Sequence, residues 1–487
     1  MSDILSIGKS GLFASKQSLE TTGHNIANAN TEGYSRQRVI QTTNVPVVSY
    51  GNTEGTGVRT LGNTRIHDEF VEKRLNSHIS QHEFAKERTN RLEQIENIFN
   101  ETDNEGLNNV MNRFYNSFRD LANQPENEAV RSVVRDTATL IIKDVHRIRE
   151  TLDGISSTID RNLQKNVTDI NSSINRVCQL NKEIAKLENI GGQSGDLRDQ
   201  RDTAIRTLSE FFDISSYQDN NGAYVVAAKN VGTLVAGGAA QELSIGPVEA
   251  EKAGNNMPGS VEIYFKDRTG EPISKSFKGG TLSSIIQVRN DDIKKLRDNI
   301  DSLTFEFANS VNALHRRGFV NRQIEVSPNG DPVKFDTKGA TTNIDFFKIG
   351  ASSTNSAQTF DLSDEVKSDL NNIATALLPN ASGDNRVALA ISKLQHEKIL
   401  GDGTRTLEEQ YLQTIGSIGL ETGKARLDAQ QSEGILAQTK QMKERISGVS
   451  IDEEAANLMK YQHAYDASAK VLKASDEMFK TVLAIKN

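Results

Sequence analysis

At 487 residues the chain is too long for one ordinary hydrophobic core, and this length predicts roughly two to four domains. Its 57 Lys and Arg against 65 Asp and Glu leave a net charge of −8, which supplies no basic bulk to grip a nucleic-acid backbone. No apolar run approaches the ~20 residues needed to cross a bilayer, so neither nucleic-acid binding nor membrane insertion is expected. The opening MSDILSIGKSGLFASKQ lacks the basic-then-apolar layout of a secretory signal, and a single cysteine, Cys178, rules out an internal disulfide framework. Composition alone describes a soluble chain of the cytosolic type.

In chain order, residues 3–28 form the first organised piece, with Leu5, Leu12, Leu19 and Ile26 repeating every seven residues. Gly8, Gly11 and Gly23 make it a poor solitary helix and a plausible docked one, because small residues permit close helix approach. The run ANANTEGYSRQRV then offers Asn28, Asn30 and Gly33, suited to a helix stop and a turn, followed by Tyr34 and a strand-like stretch to Tyr50. GNTEGTGVR is a second glycine-rich turn. Helical spacing covers Asp68 to about Phe99 and Asn104 to Ala122, after which Pro125 interrupts. Between Glu126 and Glu188 apolar residues from Val145 to Leu187 recur at three and four. That pattern implies a rod-like helix of about 60 residues, with Gly154 a candidate break and Gly191-Gly192 its end. DLRDQRDTAIRTLSEFF returns alongside as a further helix.

From about Asp213, YVVAA, TLVAG and VEIYF are short β-branched or aromatic runs set between Gly and Asn clusters, the signal of small strands. Helical spacing returns from Leu282 to His315. Residues 316–380 are rich in Gly, Asn, Ser and Asp, and read as a small inserted domain with long loops. A long helix spans Thr406 to about Ile446, and Gly448 separates it from Ile451–Ile485, which contains neither Pro nor Gly. In this last stretch Leu458, Tyr465, Leu472 and Phe479 again fall seven apart. The expected fold is mainly α with inserted β and α+β domains. Its N- and C-terminal helices pair as a coiled coil, a long helical bundle comes next, and small strand-rich domains lie outside. The expected divisions are 1–66 (terminal helix and linker), 67–212 (first part of the helical domain), 213–280 (strand-rich), 281–318 (long helix), 319–380 (variable insert), 381–447 (returning helices) and 448–487 (C-terminal coiled-coil helix).

Catalytic signatures are missing: the chain has no GxxxxGK[ST], strand-linked GxGxxG, GxSxG or HExxH. No catalytic, cofactor-binding or metal site is assigned. His78 and His82 lie four apart on one helix face but lack a convergent third ligand, so they read as surface residues. Cys178 reads as a packing thiol. The charges of Asp196–Asp202 suit a solvated helix face or a helix–helix contact. For the two terminal seams two readings stand: an antiparallel pair closed within one monomer, or a seam completed by neighbouring copies. The abundant Ala, Gly and Ser and the amphipathic Tyr461 and Tyr465 suit the second.

Asn25–Arg38, NIANANTEGYSRQR, resembles the N-terminal signature of bacterial flagellar rod, hook and hook-associated proteins. Asp452–Phe479, DEEAANLMKYQHAYDASAKVLKASDEMF, resembles their C-terminal signature. The long helical region after the first signature, the DLRDQRD helix, and the helix from Gly279-Gly280 to Leu314-His315-Arg316-Arg317-Gly318 point to the hook-associated protein 1 branch of that superfamily. A hook protein would follow its first signature mostly with strands, and flagellin lacks the ANxxTxGY element. The resemblance covers about 1–215 and 280–487; the chain is short for that branch, which implies a reduced outer domain. The resemblance implies a structural, non-enzymatic subunit at the hook–filament junction that self-associates in a ring or helical layer, with hook protein below and a second junction protein above. It also implies passage through the flagellar type III export apparatus, which displaces the cytosolic reading. The C-terminal helix would be disordered before assembly and held by an export chaperone. Leu5, Leu12, Leu19, Ile26, Leu458, Tyr465, Leu472 and Phe479 are the expected assembly seam, and Asn28, Asn30, Gly33 and Tyr34 the signature turn.

Overall fold

The computed structural model describes residues 2–49, 52–99, 106–192, 194–219, 223–247, 261–268, 270–401 and 403–485. Helix α1 (Ser2–Ala27) leads into an extended hairpin of β1 (Gln37–Thr43), β2 (Val47–Ser49), β3 (Asn52–Glu54) and β4 (Val58–Arg65), in which β1 pairs with β4 and β2 with β3, both antiparallel. The hairpin lies along α1. Gln41 Nε2 donates to Ser18 Oγ at 2.9 Å and the Val58 N–H to Ser10 Oγ at 3.2 Å.

The body is built on long helices. Helix α2 (Glu69–Glu96) starts where Asp68 accepts the N–H groups of Phe70 and Val71. Helix α3 (Leu107–Asn123) stops short of Pro125, and α4 (Glu128–Asn189) begins with Asn127 as its cap. Helix α4 runs 62 residues without interruption, about 93 Å at 1.5 Å per residue. Gly154 does not break it: the residue is exposed with open space around it, while Leu152 and Ile159 hold the helix in the core on either side. Helix α5 (Gly195–Phe211) returns along α4.

The strand-rich region is an antiparallel sheet in the order β5 (Ile214–Gln218), β6 (Tyr224–Ala228), β7 (Gly232–Ala236), β8 (Ala239–Ala240), plus a hairpin of β9 (Leu243–Pro247) and β10 (Val261–Phe265). It is pinned to α4 by polar side chains. Asn171 exchanges two hydrogen bonds of 2.8 Å with the backbone of Leu243, and Asn181 donates to the Tyr224 and Gly237 carbonyls. Cys178, buried in this contact, donates to the Gly238 carbonyl.

Helix α6 (Gly280–Gln287) passes through a π-helical segment, Val288–Ile293, into α7 (Lys294–His315). The segment carries the fully buried Arg289, which bonds Asp160 of α4 at 2.5 Å and Glu262 of β10 at 3.1 Å. Buried charge is tolerated there because it is paired on two sides. Residues 319–380 contain the short pairs β11 (Phe335–Asp336) with β12 (Gly339–Ala340) and β13 (Phe347–Lys348) with β14 (Asp361–Leu362), and the short helices α8 (Ser356–Thr359) and α9 (Asp364–Ser368). They do more than decorate the body. Phe346, Phe347 and Phe360 from this stretch meet Phe114 and Phe118 of α3 and Phe307 of α7, mostly edge to face at centroid distances of 4.7–6.3 Å. Arg149 of α4 grips Asp301 of α7 with two 2.8 Å bonds, and Asp301 also accepts the N–H groups of Asn355 and Ala357.

Helix α10 (Arg386–Lys393) packs on α3. Helix α11 (Leu407–Ser447) opens with a reciprocal capping box between Thr406 and Glu409 and runs antiparallel to α2, joined by Arg426–Glu93 near one end and Lys443–Glu72 near the other. Gly448 separates it from α12 (Ile451–Ile485), which folds back along α1.

Candidate functional site: the terminal helix pair and its junction with the body

Helices α1 and α12 are antiparallel. Gly8 faces the backbone of Leu472, Gly11 faces Ser468 and Asn25 bonds Glu454. A Cβ added at Gly8 would touch Leu472 at 3.4 Å, and one at Gly11 would lie 2.9 Å from Ser468 Oγ. These glycines therefore set the close approach of the two helices. The buried line of α1 is small and polar: Gly8, Ala14, Ser15, Ser18, Thr21, Thr22 and Asn25. Leu12, Leu19 and Ile26 are half-buried beside it, as are Leu458, Tyr465 and Leu472 on α12. Leu5 and Phe479, at the far end, are exposed, Phe479 to 54%.

The other end of the pair is locked to the body by the signature turn. Asn25 is buried and uses its whole amide. Its Nδ2 donates to the Gln37 carbonyl and Glu454 Oε2 (2.9 and 3.0 Å), and its Oδ1 accepts from Tyr34 OH and the Gln37 N–H (2.7 and 3.0 Å). Arg36 bonds Glu454 through Nε and Nη2 (2.8 and 2.7 Å) and Glu453 through Nη1 (2.7 Å), while its backbone N–H reaches the Ser447 carbonyl at the end of α11. Glu454 is only 2% exposed. Burial opposes the Arg36 charge, but the two glutamates outweigh it and hold the guanidinium above its ordinary pKa. Burial, then the carboxylates of Asp196, Asp199 and Glu454, push the Tyr34 phenol well above its usual value, so it remains a donor.

Gly33 sits at φ +84°, where an added Cβ would lie 2.5 Å from Thr203 Oγ1 of α5. Only glycine combines that backbone with that proximity. Asn28 accepts from Thr31 Oγ1 and donates to the His24 carbonyl, shaping the turn, and Asn30 stands exposed in it.

The charged cluster of α5 is only in part a solvated face, with Asp196 exposed and Arg198 half-buried, and its buried acids meet a turn and a strand end rather than another helix. Asp199, Arg201 and Asp202 are buried. Asp199 accepts the Ser35 N–H at 2.9 Å and Arg65 Nη1 at 2.8 Å, and Asp202 takes the same Nη1 at 2.6 Å. Arg201 stacks 3.7 Å from the Tyr224 ring centroid. The cluster thus ties the foot of the hairpin and the signature turn to the body. His82 lies 3.4 Å from Ser432 of α11 and His78 bonds Gln81. Among the described residues no group of three or more His, Cys, Asp or Glu could hold a metal, and no helix is long and apolar enough to cross a membrane.

Asn25, Arg36, Arg65 and Glu454 were not singled out from sequence. One signal for Glu454 exists: it lies seven residues before Tyr461, so it is the one charged residue in a register that continues through Ser468, Ser475 and Val482. Around the pair a broad apolar surface stays uncovered within the chain: Ile4, Ile7 and Phe13 on α1, Val45 and Leu61 on the hairpin, and Met459, Met478 and Leu483 on α12.

Known proteins share this arrangement. Family models match residues 5–34 (flagella basal body rod protein), 92–326 (flagellar hook-associated protein FlgK helical domain) and 444–485 (flagellar basal body rod FlgEFG protein C-terminal). Flagellar hook-associated protein 1 of Bacillus subtilis is 30% identical, over 98% of this chain and 97% of its own length. The chain belongs to the flagellar hook-associated protein 1 family. The Salmonella typhimurium member of that family is 22% identical over the full length of both chains. The solved flagellar hook junction protein FlgK of Burkholderia pseudomallei shares the fold, with a TM-score of 0.63 at 15% identity over 77% of this chain and all of its own. As a member of the hook-associated protein 1 family, the chain is a structural subunit of the flagellar hook–filament junction, within the axial structure. Membership replaces the cytosolic reading of composition with a flagellar location.

Proposed function

We propose that the α1–α12 pair with its hairpin is the surface through which copies of this chain assemble, and that the junction of Asn25, Gly33, Arg36 and Glu454 fixes the angle between that surface and the body. The carrying observation is the partition of chemistry within the pair: its fully buried line on α1 is small and polar, while Ile4, Ile7, Phe13, Met459, Met478 and Phe479 face outward. Such exposed apolar area gains free energy only when another surface covers it. The seam residues Leu5, Leu12, Leu19, Ile26, Leu458, Tyr465, Leu472 and Phe479 then act at two levels. The half-buried ones steady the pair, and Leu5 and Phe479 contact neighbours. The wider reading follows the family resemblance: self-association in a ring or helical layer, hook protein below, a second junction protein above, and export through the flagellar type III apparatus with a chaperone on α12. A helix whose apolar side is covered only on assembly suits a chaperone-held, unfolded export state. No catalytic step belongs to this role.

Phe479→Asp tests the surface without touching the interior, since the ring is exposed. Its melting curve should match the parent, while electron microscopy should show hooks without filaments. Filaments at normal frequency would show that the seam is misassigned. Leu472→Asp, half-buried against α1, should abolish incorporation as well while leaving the body folded.

A further inference from the structure

We infer that the outward face of α11 is a lateral docking surface for the body of a second copy of this chain; the inference rests on the proposed homotypic assembly and adds a contact away from the terminal pair. Helix α11 has two unlike faces. Tyr411, Thr414, Ile418, Thr422 and Ala425 are buried toward the body. At 3.6 residues per turn, Leu412, Gly416, Leu420, Gly423, Leu427 and Gly434 fall within about 40° of one line on the opposite side, over about 33 Å. Leu420 is 74% and Leu427 68% exposed.

A Cβ added at Gly416, Gly423 or Gly434 would meet nothing within 4 Å. Among the described residues no contact accounts for these glycines, although glycine is the poorest helix former after proline. Residues 416, 420, 423 and 427 are spaced four, three and four, the spacing of a helix that meets another helix, and the glycines would admit its side chains. Between Leu412 and Gly434 charge stays off the band: the nearest charged residues there, Lys424 and Arg426, lie about 80° from its centre, and Glu409, one turn before Leu412, closes its N-terminal end. Beside it, a mixed groove of about 430 Å³, with Phe84 and Ile435 among polar residues that include Gln81, Lys278 and Asp428, opens between α2, α6 and α11.

The occupant follows from the symmetry of the problem. Equivalent subunits that meet head to tail need two different faces on one chain. The second face is on α4, where Val133 and Leu140, seven residues apart, are exposed with Asp136 between them. Lys424, flanking Leu420 and Leu427, provides the matching charge. Helix α11 packs on α2 and α7, whereas α4 packs on α3, α5 and α7, so the two stripes belong to different helices of the body.

A benzoylphenylalanine at position 420, irradiated in assembled flagella, tests this directly. The expected product has twice the chain's mass, with the attachment mapped by mass spectrometry to the 133–140 segment of a second copy. A product with any other flagellar subunit overturns the assignment. No product at 420, when the same probe at 479 gives one, overturns it and leaves the terminal-pair reading standing; no product at either position removes both. The exposed double variant Leu420→Glu/Leu427→Glu should melt like the parent and enter flagella at least tenfold less well. Unchanged incorporation overturns the inference.

Discussion

The contact of Arg65 with Asp199 and Asp202 allows a quantitative test of the junction. Arg65 Nη1 lies 2.8 Å from one carboxylate and 2.6 Å from the other, with all three side chains no more than 10% exposed. Burial works against the Arg65 charge, but Asp202 and Asp199 more than compensate and keep its pKa above the ordinary value. Asp199 also accepts the Ser35 N–H. Asp199→Asn keeps the shape, removes one charge and turns an amide donor toward either Arg65 or Ser35. A lost charge-assisted bond plus one unsatisfied buried donor should cost about 3 kcal/mol. Arg65→Met leaves two buried carboxylates facing each other and should cost more, about 4 kcal/mol. In the double variant only one carboxylate is stranded and no arginine is left seeking it, so the losses should fall short of their sum by about 2 kcal/mol. Urea unfolding of the four proteins measures the coupling, and hydrogen exchange at the Ser35 amide reports the same event locally. The exposed pair Lys16–Glu20, 3.7 Å apart on α1, provides the contrast; its cycle should give only a few tenths of a kcal/mol. A coupling at Arg65 and Asp199 no larger than that of the exposed pair would refute the view of the α5 cluster as the structural tie of the junction.

Acid should weaken the body through His315. Its Nδ1 faces the Ile344 carbonyl at 2.8 Å and its Nε2 accepts the Ala374 N–H, so the neutral ring is the one that fits. Burial lowers its pKa from 6.5 to about 4. Between those values the unfolded chain binds the extra proton, so stability is full above pH 6.5 and falls toward pH 4, by about 3 kcal/mol in all. Urea midpoints taken across this window should slope in the parent and flatten in His315→Gln; equal slopes would exclude His315 as the source. Gly33→Ala combines the left-handed penalty of roughly 1–2 kcal/mol with the clash on Thr203 Oγ1. Adding Thr203→Ala should recover the steric part alone, and no recovery in the melting temperature would argue against that contact.

How much was legible from sequence depended on whether the deciding information was local. Helix α4 could be read because its apolar residues recur at three and four along one line, and the core follows that line from Val134 to Ile184. The reading of 451–485 as one uninterrupted helix and of Gly448 as the break before it rested on the same local signals. The packing line of α1 was obscured because leucine spacing marks a period, whereas closeness of backbones is set by the smallest residues. Gly8 and Gly11 touch α12 while Leu5 points to solvent. Asp199 and Asp202 read as part of a solvated helix face or a helix–helix contact for a different reason. Their partners, Ser35 and Arg65, stand more than 130 residues earlier, and no window of the chain contains both.

The two kinds of residue that sequence reading separated least well do opposite jobs. Asn25, Arg36 and Glu454 are polar where three chain segments meet, and each satisfies more than one partner, so the junction has directional bonds that a purely apolar contact would lack. Directional bonds resist rotation, whereas apolar contact tolerates sliding. On the proposed assembly, a chain that holds one angle between its terminal pair and its body, yet presents apolar surface to neighbours, meets both needs by burying the polar groups at the hinge point and leaving Phe13, Met459 and Phe479 outside. On this argument a variant that keeps the exposed apolar side chains but loses Glu454 would still bind neighbours. It would do so with the body set at a variable angle, and its junctions should contain the chain yet shed filaments under load.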